Sequence, residues 1–124
     1  MTMNARTTQG PPVDEAAAMS TAASLFRSLG EPARLAILRH LAGGEHRVVE
    51  LTEHLGLAQS TVSAHLACLR DCGLVASRPA GRATMWSLAH PGELVDVLAS
   101  AERLLAATGD AVALCPTSGA GVER

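Results

Sequence analysis

The stretch between Gly56 and Gly73, LAQSTVSAHLACLRDC, constrains the fold of this chain more than any other. Val62, Leu66 and Leu69 follow one another at spacings of four and three, so on a helix they form one buried stripe. Gly73 stands where a left-handed C-cap residue belongs, and the expected helix runs from about Gln59 to Asp71 or Cys72. Its first half carries Gln59, Ser60, Thr61, Ser63 and His65, which are too polar for a core. Before it, Val48, Leu51 and Leu55 predict a short helix that Gly56 breaks. A short helix, a glycine turn and a second helix with a polar N-terminal half form the helix-turn-helix plan.

The flanking chain extends this plan. Asp14 suits an N-cap, and the Ala-rich run after it ends at Gly30. Pro32 suits the first turn of a second helix with Leu35, Ile37, Leu38 and Leu41 on its apolar side, stopped by Gly43-Gly44. After Gly73, LVASRP and RATMWSL flank Ala80-Gly81 and predict two short strands joined by a tight turn. Arg78 and Arg82 at the tip make this hairpin a wing suited to DNA backbone or minor groove. Pro91 opens a last helix with Leu94, Val97, Leu98, Ala101, Leu104 and Leu105. A stripe this apolar needs a cover, and a second copy of itself is the economical one. The expected fold is therefore mainly α with a small β hairpin: a dimeric winged helix-turn-helix over residues 13–108. A disordered arm over 1–12 precedes it, and a Gly-rich tail over 109–124, carrying Cys115, follows.

Composition narrows the function classes. Hydrophobic residues make up 48% and charged residues 18%, which fits a folded domain. With one Trp, one Phe and no Tyr, the core must be aliphatic. Every basic residue is arginine, suited to bidentate contact with phosphate and guanine. The formal net charge of −2 argues against strong long-range attraction to nucleic acid. Between Gln59 and His90, however, Arg70, Arg78 and Arg82 face only Asp71, so a local basic face remains. The odd cysteine count, with no secretory signal or membrane-length apolar run, points to a cytoplasmic protein with reduced thiols. No nucleophile–base spacing, phosphate loop or carboxylate pair marks an enzyme, and no membrane or protein partner is implied beyond a second copy.

Cys68 and Cys72 stand at i and i+4 on the reading helix, with Cβ atoms about 5–6 Å apart. Two thiolates so placed can hold one soft metal ion, and a metal there would act as a switch. The bland alternative is that both are small buried residues, since free cysteine packs well in cores. For DNA contact the candidates are Gln59, Ser60, Thr61, Ser63 and His65, with Arg78 and Arg82 on the wing. Glutamine pairs with adenine, and hydroxyls reach bases or phosphates. Ser60 or Thr61 could instead cap the helix, and His65 could bond internally. Arg34 is structural or phosphate-facing. Arg70 could pair with Asp71 or a neighbouring acid. Trp86 is expected to pack. His40, His46, His54 and His90 show no ligand spacing, and Glu50–His54 reads as a solvated surface pair.

The order of elements, with LGEPARLAILRHLAGG, LAQSTVSAHLACLRDCGLV and GRATMWSL, resembles the ArsR–SmtB family of dimeric winged-helix repressors over roughly residues 20–105. The resemblance implies repression of an operon until a metal ion binds and the dimer releases its operator. Family members that sense arsenic or cadmium through a Cys-x-Cys pair carry it where this chain has Arg47 and Val49. Zinc sensors use Asp and His on the last helix, where Asp96 and Glu102 stand but no His follows His90. Cys68, Cys72 and Cys115 remain, a set similar to that of the cadmium- and lead-sensing members, whose third cysteine comes from the partner's tail. Three thiolates without oxygen or imidazole suit Cd(II) or Pb(II), with Zn(II) and As(III) left open. Two alternatives use the same scaffold: a thiol redox sensor, in which a Cys115 bridge is easier than a strained Cys68–Cys72 one, and a constitutive DNA-binding module with inert cysteines.

Overall fold

The computed structural model describes residues 14–115, in the order α1 (Glu15–Leu29), α2 (Pro32–Leu41), β1 (His46–Arg47), α3 (Val48–Leu55), α4 (Gln59–Asp71), β2 (Val75–Ala80), β3 (Ala83–Leu88) and α5 (Pro91–Ala107). The arm over 1–12 and the tail beyond residue 115 lie outside the described residues. Local chemistry sets the boundaries. Asp14 caps α1 by accepting from the Ala16 amide at 3.1 Å. Glu31 caps α2 from the Arg34 amide at 2.9 Å, with Pro32 directly after it. Gly56 and Gly73 end α3 and α4 at φ +68° and +80°, a conformation other residues adopt only under strain.

The predicted hairpin forms with Ala80 opposite Ala83 around a Gly81-Arg82 loop, one residue later than the turn read from the sequence. A third strand joins it, because β1 pairs antiparallel with β3 and places His46 opposite Trp86. The sheet order β1-β3-β2 leaves β2 at an edge, where Pro79 costs no ladder hydrogen bond. Two residues cannot display strand alternation, so β1 had no signal of its own.

The core sits where α2, α3 and α4 meet the sheet. Ile37, Leu38, Leu51, Val62, Leu66 and Leu69 are fully buried, and Val75, Trp86, Leu88 and Leu94 close the cluster. This packing holds α4 by the stripe Val62–Leu66–Leu69 and turns its other faces outward. By contrast α1 and α5 are only half used. Met19, Phe26 and Leu104 are 63%, 63% and 68% exposed, and Phe26, Val97, Ala101 and Leu104 line an open groove of about 400 Å³. No described helix is long and apolar enough to cross a membrane.

Candidate DNA-reading and metal-sensing surface

On α4, Gln59, Ser60, Thr61 and Ser63 are all exposed. The N-cap is Ala58, and no side chain caps this end. The capping role open to Ser60 and Thr61 is therefore not taken up, and both hydroxyls stand on the first turn without a hydrogen-bond partner among the described residues. His65 is different. Its Nε2 lies 3.7 Å from Glu31 Oε1, so it is turned toward the start of α2 and ties the two helices when protonated.

The arginines divide in the same way. Arg34 donates from Nε to the Ser28 carbonyl at 2.7 Å and from a terminal nitrogen to the Arg27 carbonyl at 3.1 Å. It closes the C-terminal end of α1 and is structural. Arg70 lies over the Trp86 ring, 5.3 Å from its centroid, rather than pairing with Asp71. Arg78 makes a two-pronged pair with Glu45, both bonds 2.8 Å. That guanidinium holds the Glu45 carboxyl below the usual carboxylate range. Arg82, at the wing tip, is exposed and has no ion-pair partner among the described residues.

Cys68 and Cys72 are exposed, one turn apart, so the bland reading of both as buried packing residues does not hold. Cys72 closes α4, its Sγ 3.2 Å from the Ser28 hydroxyl of α1. Beside it runs a groove of about 470 Å³ lined by Ser20, Thr21, Ser24, Leu25, Asp71 and Cys72. Cys115 does not join them within the chain. It is buried, its Sγ 3.5 Å from the Val95 carbonyl of α5. The Glu102 carboxylate accepts the backbone amides of both Leu114 and Cys115. Burial, and then the Glu102 charge, push the Cys115 thiol above its usual value.

Two features escaped the sequence. His40, His46 and His54, from α2, β1 and α3, form a ring cluster with centroids 5.2 to 6.2 Å apart. Their sequence separations carry no pattern, because the fold and not a shared helix face assembles them. Among the described residues no three such side chains are placed to hold a metal. Glu50 belongs to His46 and Arg47, not to His54 as its i, i+4 spacing suggested. The seat of Cys115 on Glu102 was equally invisible, since it depends on the chain reversing after α5.

The sequence matches the family described as "Bacterial regulatory protein, arsR family" over residues 31–77. It is 40% identical over 106 residues to a probable mercury resistance operon repressor of Streptomyces lividans, covering 84% of this chain and 83% of that one. It is 42% identical over 107 residues to the HTH-type transcriptional regulator CmtR of Mycobacterium tuberculosis, covering 75% and 89%. Among solved structures it is similar to a homodimeric winged helix-turn-helix DNA-binding domain from Mycobacterium bovis. There the TM-score is 0.61 at 31% identity, covering 73% of this chain and 89% of the other.

Proposed function

The chain belongs to the arsR family of bacterial regulatory proteins, and from that premise we propose that it is a homodimeric, metal-responsive repressor. It leaves a palindromic operator when a soft, thiophilic ion of the Cd(II) or Pb(II) type binds Cys68, Cys72 and Cys115. Zn(II), which prefers four tetrahedral ligands, is a weaker fit to three sulfurs, whereas As(III), also trigonal with sulfur, remains an alternative ion. The observation that carries this reading is the pair of exposed thiols on successive turns of the helix that presents Gln59, Ser60, Thr61 and Ser63. The relatives named above are DNA-binding regulators, not enzymes, and a cytoplasmic setting suits both operator and reduced thiols.

In this reading α4 enters the major groove, with Gln59 reaching base edges and the hydroxyls reaching bases or phosphates. Arg82 supplies a wing contact; Arg78 contributes less while Glu45 neutralises it, and His65 orients α4 through Glu31. A second copy covers the apolar groove of α1 and α5 and sets the spacing of the two reading helices. The groove beside Cys72 leaves room for a tail carrying the third thiolate to approach. Tying α4 to that tail moves the reading helices off a spacing of about one DNA turn. A coupling of about 1–3 kcal/mol changes operator affinity roughly 5–150-fold.

The test is a Cd(II) titration of the reduced protein, following sulfur-to-metal charge-transfer absorbance and operator binding together. Wild type is compared with Cys68→Ser, Cys72→Ser and Cys115→Ser. One ion per protomer, weakened by each substitution and matched by DNA release, supports the three-thiolate sensor. Absence of the thiolate band, or operator binding indifferent to it, leaves only the DNA-binding reading.

A further inference from the structure

The end of α5 is built to reverse the chain. Gly109 takes φ +95°, its amide donates to the Ala106 carbonyl at 3.1 Å, and the Asp110 amide donates to the Leu105 carbonyl at 2.8 Å. These are the two bonds of a Schellman turn, and the left-handed position favours glycine. The reversal sends residues 111–115 back along α5, where Glu102 receives two successive amides and the Cys115 thiol is buried against Val95. Leu114 borders a cavity of about 150 Å³ with Leu35, Ala36, Arg39 and Leu98, so the same seat reaches α2.

We infer that Glu102 is a positioning residue for the tail thiol: it docks the tail on its own α5 and withholds Cys115 from Cys68 and Cys72 until metal binding draws it away. The inference rests on the three-thiolate reading, and it makes metal affinity a competition between Glu102 and the ion for one segment of chain. A carboxylate accepting two amides is a charge-assisted contact, stronger than a neutral hydrogen bond, so its loss is large enough to measure.

The experiment measures two quantities on the reduced full chain. One is the metal-free alkylation rate of each cysteine by iodoacetamide, resolved by mass spectrometry; the other is Cd(II) affinity. In Glu102→Ala, Cys115 is expected to react about tenfold faster or more, while Cys68 and Cys72 keep their rates, and Cd(II) binds about tenfold tighter. Glu102→Gln, which keeps an acceptor oxygen, restores much of the slow rate. Gly109→Val, which leaves Glu102 in place but strains the turn, reproduces the Glu102→Ala result. Adding Cys115→Ser erases the gain in Cd(II) affinity. An unchanged Cys115 rate in both Glu102→Ala and Gly109→Val overturns the docking. Faster alkylation with equal or weaker Cd(II) binding overturns the withholding. If Cys115→Ser never alters Cd(II) affinity, the three-thiolate reading and the withholding fall together, while alkylation still judges the docking by itself.

Discussion

Arg34, Arg70, Arg78 and Arg82 are chemically identical, yet their neighbours give them four different jobs. Arg34 closes α1, Arg70 covers Trp86, Arg78 is neutralised by Glu45, and Arg82 has no hydrogen-bond, ion-pair or ring partner among the described residues. The basic face counted along the sequence is thus mostly committed to the protein itself. The Glu45–Arg78 pair makes a pH prediction with a definite sign. Glu45 is held below its ordinary value, chiefly by the Arg78 hydrogen bond. Its stabilising contribution is therefore present above the ordinary carboxylate range and is lost as pH falls through the lowered value. In Arg78→Ala the Glu45 titration, followed by side-chain carboxyl NMR, is expected to move up toward that range; an unmoved titration refutes the pairing in solution. At the core, Leu66 is fully buried on the α4 stripe. Leu66→Ala should lower unfolding stability by about 2–5 kcal/mol in denaturant melts.

At the scale of elements, the proposed function divides the DNA contacts between the wing and the reading helix. Because Arg82 is free and Arg78 is paired, Arg82→Ala should weaken operator binding and reduce the slope of log affinity against log salt by about one. Glu45→Gln removes the neutralising charge on Arg78 and is expected to act oppositely, raising affinity and steepening the slope. Equal salt slopes in wild type and both variants would remove the wing from the DNA contact. The recognition helix itself was legible from its stripe and terminal glycine, because both signals are local. The strand β1 was not, since two residues acquire strand character only from the ladder that β3 offers them.

For the whole molecule, the question is what covers α1 and α5. Phe26 and Leu104 are largely exposed, take no part in the buried cluster and line one groove, so charges there should leave the fold of the protomer intact. A Phe26→Asp, Leu104→Asp double variant is expected to sediment as a monomer, keep its helical circular dichroism, and lose high-affinity binding to a palindromic operator. A dimer that survives this change would place the interface elsewhere.

Periodicity and turn chemistry by themselves determined five helices, a hairpin and the face of α4 that points inward, because helix stripes, caps and left-handed glycines are encoded within a few residues. They also placed Cys68 and Cys72 on one helical face. Only the tertiary structure decided which polar groups are already spent: His65 on Glu31, Arg78 on Glu45, Cys115 on α5 beside Glu102. It alone gathered His40, His46 and His54. The physical reason is one of range. A stripe or a cap is a contact between near neighbours in the chain, whereas the partner of an exposed charge or thiol comes from another element and is fixed only when the core sets their distance.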